Sequence, residues 1–113
     1  MSDMLDLPDE WIIEGHTPRL VKWPEYLAWV KADPNHDKRR VAQDTVGEAW
    51  VSTVFLTVDH NFGGRGAPIL FETMLFGGQH DQSCWRYCTW EEAEAGHARV
   101  VAALRDGRDP DDH

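Results

Sequence analysis

Trp50-Val-Ser-Thr-Val-Phe-Leu-Thr-Val-Asp59 and Ile69-Leu-Phe-Glu-Thr-Met-Leu-Phe76 are the stretches whose reading decides the fold, with His60-Asn-Phe-Gly-Gly-Arg-Gly-Ala-Pro68 between them. Both runs are rich in β-branched and aromatic residues, and the link is crowded with Gly, Asn and Pro. That pattern describes two strands around an irregular loop. In the first run Trp50, Val54, Leu56 and Val58 share one face, while Val51, Phe55 and two threonines share the other. The second run is also apolar on both faces. Such strands are central ones, or belong to a sheet whose second face is covered by a helix or by another subunit.

Working outward, Arg39 to Val46 reads as an edge strand of mixed polarity, turned into the central strand by Gly47-Glu48. Gly77 to Gln82 reads as a loop, and Ser83 to Cys88 as a short fourth strand. Thr89-Trp-Glu-Glu92 fits a capping box, in which a Thr cap is matched by a Glu three residues on. The helix it opens runs to about Arg105, with Trp90, Ala93, His97, Val100, Val101 and Leu104 along one face. Gly96 beside that face points to a close helix–sheet approach, and Gly107 to a stop. Upstream, Lys22 to Ala32 has the spacing of a short helix, with Pro24 in its first turn and Trp23, Tyr26, Leu27 and Val30 on one face.

The expected architecture is a single small α+β domain over residues 21–107. It has an antiparallel sheet of three to four strands, a C-terminal helix packed on one face and a short N-terminal helix. Residues 1–20 are expected to form an acidic, extended, partly ordered arm, tied down by Trp11, Ile12 and Ile13. Residues 108–113 are expected to be a disordered acidic tail.

The charge of −9 over 113 residues supports this division. Asp3, Asp6, Asp9, Glu10 and Glu14 crowd the start with no Lys or Arg among them. Asp106, Asp109, Asp111 and Asp112 crowd the end against Arg108 alone, so the body between is close to neutral. A body without a basic field argues against non-specific nucleic-acid binding. No apolar run is long enough to span a membrane, and the acidic start does not read as a secretion signal, so a cytoplasmic location is expected. Two cysteines, Cys84 and Cys88, suit a reducing compartment. Six tryptophans exceed what a core of this size needs and leave some for an interface.

Residues able to carry chemistry are scattered. Asp59-His60 closes the central strand, and His60 could serve as a base or metal ligand oriented by a carboxylate, with Glu72, His80 and Asp81 as partners. The opposing reading has Asp59 capping the loop through its own backbone. Glu72 shares a face with Leu70, Met74 and Phe76, so it needs a partner, and Arg39, Arg40 or Arg86 could supply one. The glycine-rich loop offers His60, Asn61, Phe62 and Arg65 to a ligand, with Arg65 as a grip for phosphate. It leads into a strand, however, and so lacks the helix N-terminus of a true phosphate loop. Cys84 and Cys88 on one extended strand would stand roughly 13 Å apart, too far for one metal or one disulfide. His97 reads as a boundary histidine, and Lys38-Arg39-Arg40 as a small basic cluster.

Val51-Ser-Thr-Val-Phe-Leu56, Asp59-His60-Asn-Phe-Gly63, Leu70-Phe-Glu-Thr-Met74, Phe76-Gly-Gly78, Arg86-Tyr87, Thr89-Trp-Glu-Glu-Ala93 and Gly96-His97 together resemble a family of small uncharacterised phage and prophage proteins, mostly of actinobacterial phages. The resemblance covers about residues 39–104. It implies a setting, the cytoplasm of an infected bacterium, where such proteins bind host factors or blunt defence systems.

The functional expectation is a cytoplasmic binding protein without cofactor, an accessory or counter-defence factor acting stoichiometrically on a host protein or a small signalling nucleotide. A homodimer burying the second sheet face is the expected assembly. His60, Asn61, Phe62, Arg65, Glu72, Arg40, Arg86 and Trp50 are the candidate ligand contacts. One alternative is a small metal-dependent hydrolase or nuclease using Asp59, His60, Glu72 and possibly His80. Another is a virion structural or assembly component.

Overall fold

The computed structural model describes residues 9–61 and 66–111. The chain forms a small α+β domain of two antiparallel sheets and two helices, in the order β1 (Asp9–Glu14), β2 (Thr17–Lys22), α1 (Trp23–Lys31), β3 (Arg40–Val46), β4 (Ala49–Phe55), β5 (Phe71–Phe76), β6 (Cys84–Tyr87) and α2 (Trp90–Arg105). A short 3₁₀ turn over Asp37–Arg39 leads into β3. The main sheet is a meander, β3-β4-β5-β6, and the second sheet is the β1-β2 hairpin. The expected α+β fold, with α2 on one sheet face and a short helix near the N-terminus, is what the structure shows.

Three rows of facing side chains cross the inner face of the sheet. In register, Val51 pairs with Leu75, Thr53 with Thr73, and Phe55 with Phe71. Helix α2 lies over them in step, placing Val100 and Val101 near the first row, His97 at the second, and Trp90 and Ala93 at the third. The apolar core is thereby divided into two clusters with a polar row between. Phe71, Leu75, Val51 and Val100 are fully buried, and each such side chain contributes about 1.5–3 kcal/mol through burial.

The ends of α2 follow from its sequence. Thr89 accepts from Glu92 N while the Glu92 carboxylate accepts from Thr89 N, completing the capping box. At the other end Gly107, at φ 70°, lets its N–H donate to Leu104 O and the Arg108 N–H to Ala103 O. This pair of bonds is a Schellman motif. Gly96 is required by contact rather than by conformation: a Cβ there would lie 2.3 Å from the Tyr87 ring.

Residues 9–20 depart from the expected arm. They are part of a hairpin turned at Gly15 (φ 62°), and Ile12, Ile13 and Val21 are buried. Trp11 N donates to Thr57 O at 3.1 Å, tying the hairpin to the chain just past β4. His16, near the hairpin tip, stacks on Trp90 with centroids 3.9 Å apart. The hairpin wins order because its apolar residues complete the Phe55–Phe71–Trp90 cluster, which α2 alone leaves open.

Helix α1 forms as expected but buries a different stripe. Trp29 is the buried residue, flanked by partly buried Tyr26 and Val30, while Trp23 and Leu27 are exposed. Trp29 meets Phe55 edge-on at 6.2 Å. The described residues after α2 touch the body. Pro110 is fully buried, its carbonyl accepts from Arg99 Nη1 at 2.7 Å, and Asp111 accepts from Trp85 Nε1 at 2.9 Å. Asp112 and His113, like residues 1–8, lie outside the described residues.

Candidate functional site

With α1, α2 and the hairpin all on the inner side, the outer face of the main sheet is left uncovered among the described residues. Its rows are read from the register. Thr45, Trp50 and Phe76 form one, Gln43, Ser52, Met74 and Cys84 the next, and Arg40, Val54, Glu72 and Arg86 the third. Trp50 and Phe76 are 42% and 40% exposed and pack on each other at 5.2 Å. Glu72 is partnered across the strand pair by Arg86, Nε to Oε2 at 3.0 Å. The carboxylate that looked costly amid apolar neighbours is thus a cross-strand ion pair. Arg40 is held by Asp37 at 3.1 Å.

The described ends of the loop between β4 and β5 are pinned. Asp59 Oδ1 accepts from Asn61 N and from Ile69 N, each at 2.8 Å. Asn61 Nδ2 donates to Ala67 O at 3.1 Å, and His60 N to Ile69 O at 2.9 Å. The backbone-capping reading of Asp59 is the one the geometry carries. Phe62 and Arg65 fall outside the described residues. Cys88 sits beside this loop, and burial together with the Glu92 and Asp59 carboxylates pushes its thiol up, away from thiolate reactivity.

Asp59, His60, Glu72 and His80 are not brought together. His60 lies beside Ile69, just before β5 begins at Phe71, and His80 in the turn beyond Phe76, with the length of β5, about 17 Å, between. Glu72 stands on the outer face, committed to Arg86. Among the described residues no three of His, Cys, Asp or Glu gather closely enough to hold a metal ion.

The polar group that sequence reasoning missed is buried under α2. His97, 4% exposed, sets Nδ1 2.7 Å from Thr53 Oγ1 and Nε2 2.7 Å from Asp44 Oδ2. Thr53 Oγ1 is 2.5 Å from Thr73 Oγ1, which accepts from Tyr87 OH at 3.1 Å. A chain running Tyr87 to Thr73 to Thr53 to His97 to Asp44 uses every proton once, with His97 as the Nε2–H tautomer. The Asp–His–Thr order evokes a nucleophile relay. Both threonines are, however, 0% exposed, and each hydroxyl is already used twice, so no substrate reaches them. The group satisfies the polar row between two apolar clusters. Its signal in the sequence was faint: two threonines that pair only once the register is known, and one histidine on an apolar helix face.

No protein-family model, no curated protein and no solved structure matches this chain.

Proposed function

We propose that this protein is a non-enzymatic binding protein that acts by stoichiometric contact with another protein, through the open outer face of its main sheet. The observation that carries this reading is the Trp50–Phe76 pair, two large aromatics each about two-fifths exposed on a face nothing described covers. Tryptophan and arginine dominate interface hot spots, and here Trp50, Phe76 and Met74 are bordered by the Glu72–Arg86 pair. The buried polar row of His97, Thr53 and Thr73 is engaged in holding the fold and is closed to a partner.

The size of the face bears on the partner. Four strands at about 4.8 Å spacing and six residues at about 3.3 Å give roughly 400 Å². A standard interface buries about 800 Å² per partner. A stable partner is therefore expected to reach beyond the strands onto the rims of the sheet. In line with the phage resemblance, we place that partner among bacterial host or defence proteins, met in the cytoplasm of an infected cell.

The test compares wild type with Trp50→Ser/Phe76→Ser in host-cell pull-downs, with circular dichroism as the check on folding. A single species captured one-to-one by wild type and lost by the folded variant supports the reading. Equal capture by both removes it. A wild-type dimer in light scattering that the variant converts to monomer makes a second copy the occupant instead.

A further inference from the structure

A second surface feature lies where the 3₁₀ turn meets the start of β3. Asn35, His36, Arg39, Arg40 and Gln43 face Val54, Leu56 and Thr57 across a cleft of about 430 Å³. Ligand pockets begin near 300 Å³, so the space suits a small organic molecule rather than a lone ion. Three local departures from regular geometry build it. His36 adopts a left-handed conformation at φ 60°. The register shifts between Arg40 and Ala42, a bulge at Val41 that re-aims the strand entry. Asp33, buried, accepts from Asp37 N and Lys38 N and fixes the turn.

The charges in this cleft are not equivalent. Arg40 is shared with Asp37. Arg39 is half-buried and lies over the Trp29 ring, 5.1 Å from its centroid, and its Nε is closed off from solvent without a hydrogen-bond partner. No carboxylate among the described residues lies within ion-pair distance of it. A guanidinium held in place by stacking, with its Nε closed off and its two terminal nitrogens without a partner among the described residues, can take an anion through those two nitrogens, and phosphate fits that fork. In a chain carrying −9 overall, such a cation does not arise from a general basic field. Val54 and Leu56 supply an apolar wall for a flat body, and Asn35 and Gln43 lie at the rim, the Gln43 amide nitrogen donating to Ser52 Oγ at 3.3 Å.

We infer that this cleft binds a small phosphate monoester with a ring-bearing body, of nucleoside monophosphate size, with Arg39 as the principal phosphate contact and Arg40 and His36 as secondary ones. The site shares Arg40, Gln43 and Val54 with the outer face but not the Trp50–Phe76 pair, and it is tested without any protein partner.

The experiment is an amide and arginine Nε–H NMR titration in phosphate-free, low-salt buffer with adenosine monophosphate, adenosine and inorganic phosphate as probes. The monophosphate is expected to shift His36, Arg39, Arg40 and residues 54–57 saturably, phosphate to shift the arginines more weakly, and adenosine to bind at least tenfold more weakly. Arg39→Gln should lower monophosphate affinity at least tenfold with its amide spectrum otherwise retained, whereas Arg39→Lys should keep part of it. Arg40→Gln should have the smaller effect. Absence of saturable shifts at these residues would overturn the inference, as would unchanged affinity in Arg39→Gln. So would saturable binding of an acidic peptide there while the monophosphate fails.

Discussion

At the scale of single residues, the contact between Gly96 and Tyr87 is the most sharply determined. A methyl at Gly96 would fall 2.3 Å from the Tyr87 ring carbons and hydroxyl. The ring hydroxyl donates to Thr73 Oγ1, so the ring cannot retreat without disturbing that bond. Gly96→Ala is expected to destabilise by about 1–3 kcal/mol in denaturant unfolding, as overpacking does. In a Tyr87→Leu background the same change should cost markedly less, and equal costs in both backgrounds would show that the ring is not the obstacle. Tyr87 also carries a pH dependence. Burial raises its phenol above the ordinary value of 10.0, outweighing the bond to Thr73 and the nearby Arg99 charge. The unfolded chain thus ionises first. Stability from this group is intact below about pH 10 and is lost as pH rises through the unfolded and then the folded value. Tyr87→Phe should lose about 1 kcal/mol near neutrality and show a shallower fall of stability above pH 10 than wild type.

At the scale of elements, the β4–β5 connection is decided by one carboxylate. Asp59 Oδ1 accepts two backbone N–H groups eight residues apart in the chain, those of Asn61 and Ile69, so it closes the loop at its base. Asp59→Ala leaves both donors without that acceptor and is expected to cost about 2–3 kcal/mol. Hydrogen exchange at the Asn61 and Ile69 amides should quicken most. Asp59→Asn, which keeps an acceptor oxygen, should lose less. If exchange at those two amides is unchanged in Asp59→Ala, the clamp is not what orders the loop. Helix α2 shows the same economy, with a cap at Thr89 and Glu92 and a stop at Gly107, so that both ends are set within the chain itself.

At the scale of the whole molecule, the terminal segments complete the core. The hairpin covers the Phe55–Phe71–Trp90 cluster, and the segment after α2 folds back so that Pro110 is buried and Asp111 reaches Trp85. Arg99 joins both, donating to Pro110 O and lying over the Trp85 ring at 6.0 Å. Ending the chain after Gly107 is expected to lower stability by about 1–3 kcal/mol, several degrees in a thermal melt. An unchanged melting temperature would return these residues to the role of a solvated tail. The aromatic inventory also divides at this scale. Trp29 and Trp90 are buried, whereas Trp50 is left on the outer face with Phe76, where contact with another protein is proposed.

The sequence by itself determined the elements whose signals are local. Alternation set β4 and β5, Gly47 the hairpin turn, Thr89 and Glu92 the start of α2, and Gly107 its end, because each depends on neighbours a few residues away. Gly96 was legible as a close approach, though not what it approaches. The need of Glu72 for a cation was legible too, while the choice of Arg86 waited on strand register. Only the tertiary structure decided which stripe of α1 is buried, that residues 9–22 pair as a hairpin and Pro110 is buried, and how Asp44, His97, Thr53, Thr73 and Tyr87 meet. These depend on contacts between residues up to 74 positions apart, as between His16 and Trp90, and no local pattern encodes which apolar surface another segment will cover. The cleft beside Arg39 belongs to the same class: its basic residues are plain in the chain, but only the bulge, the turn and the Trp29 ring give them a shape.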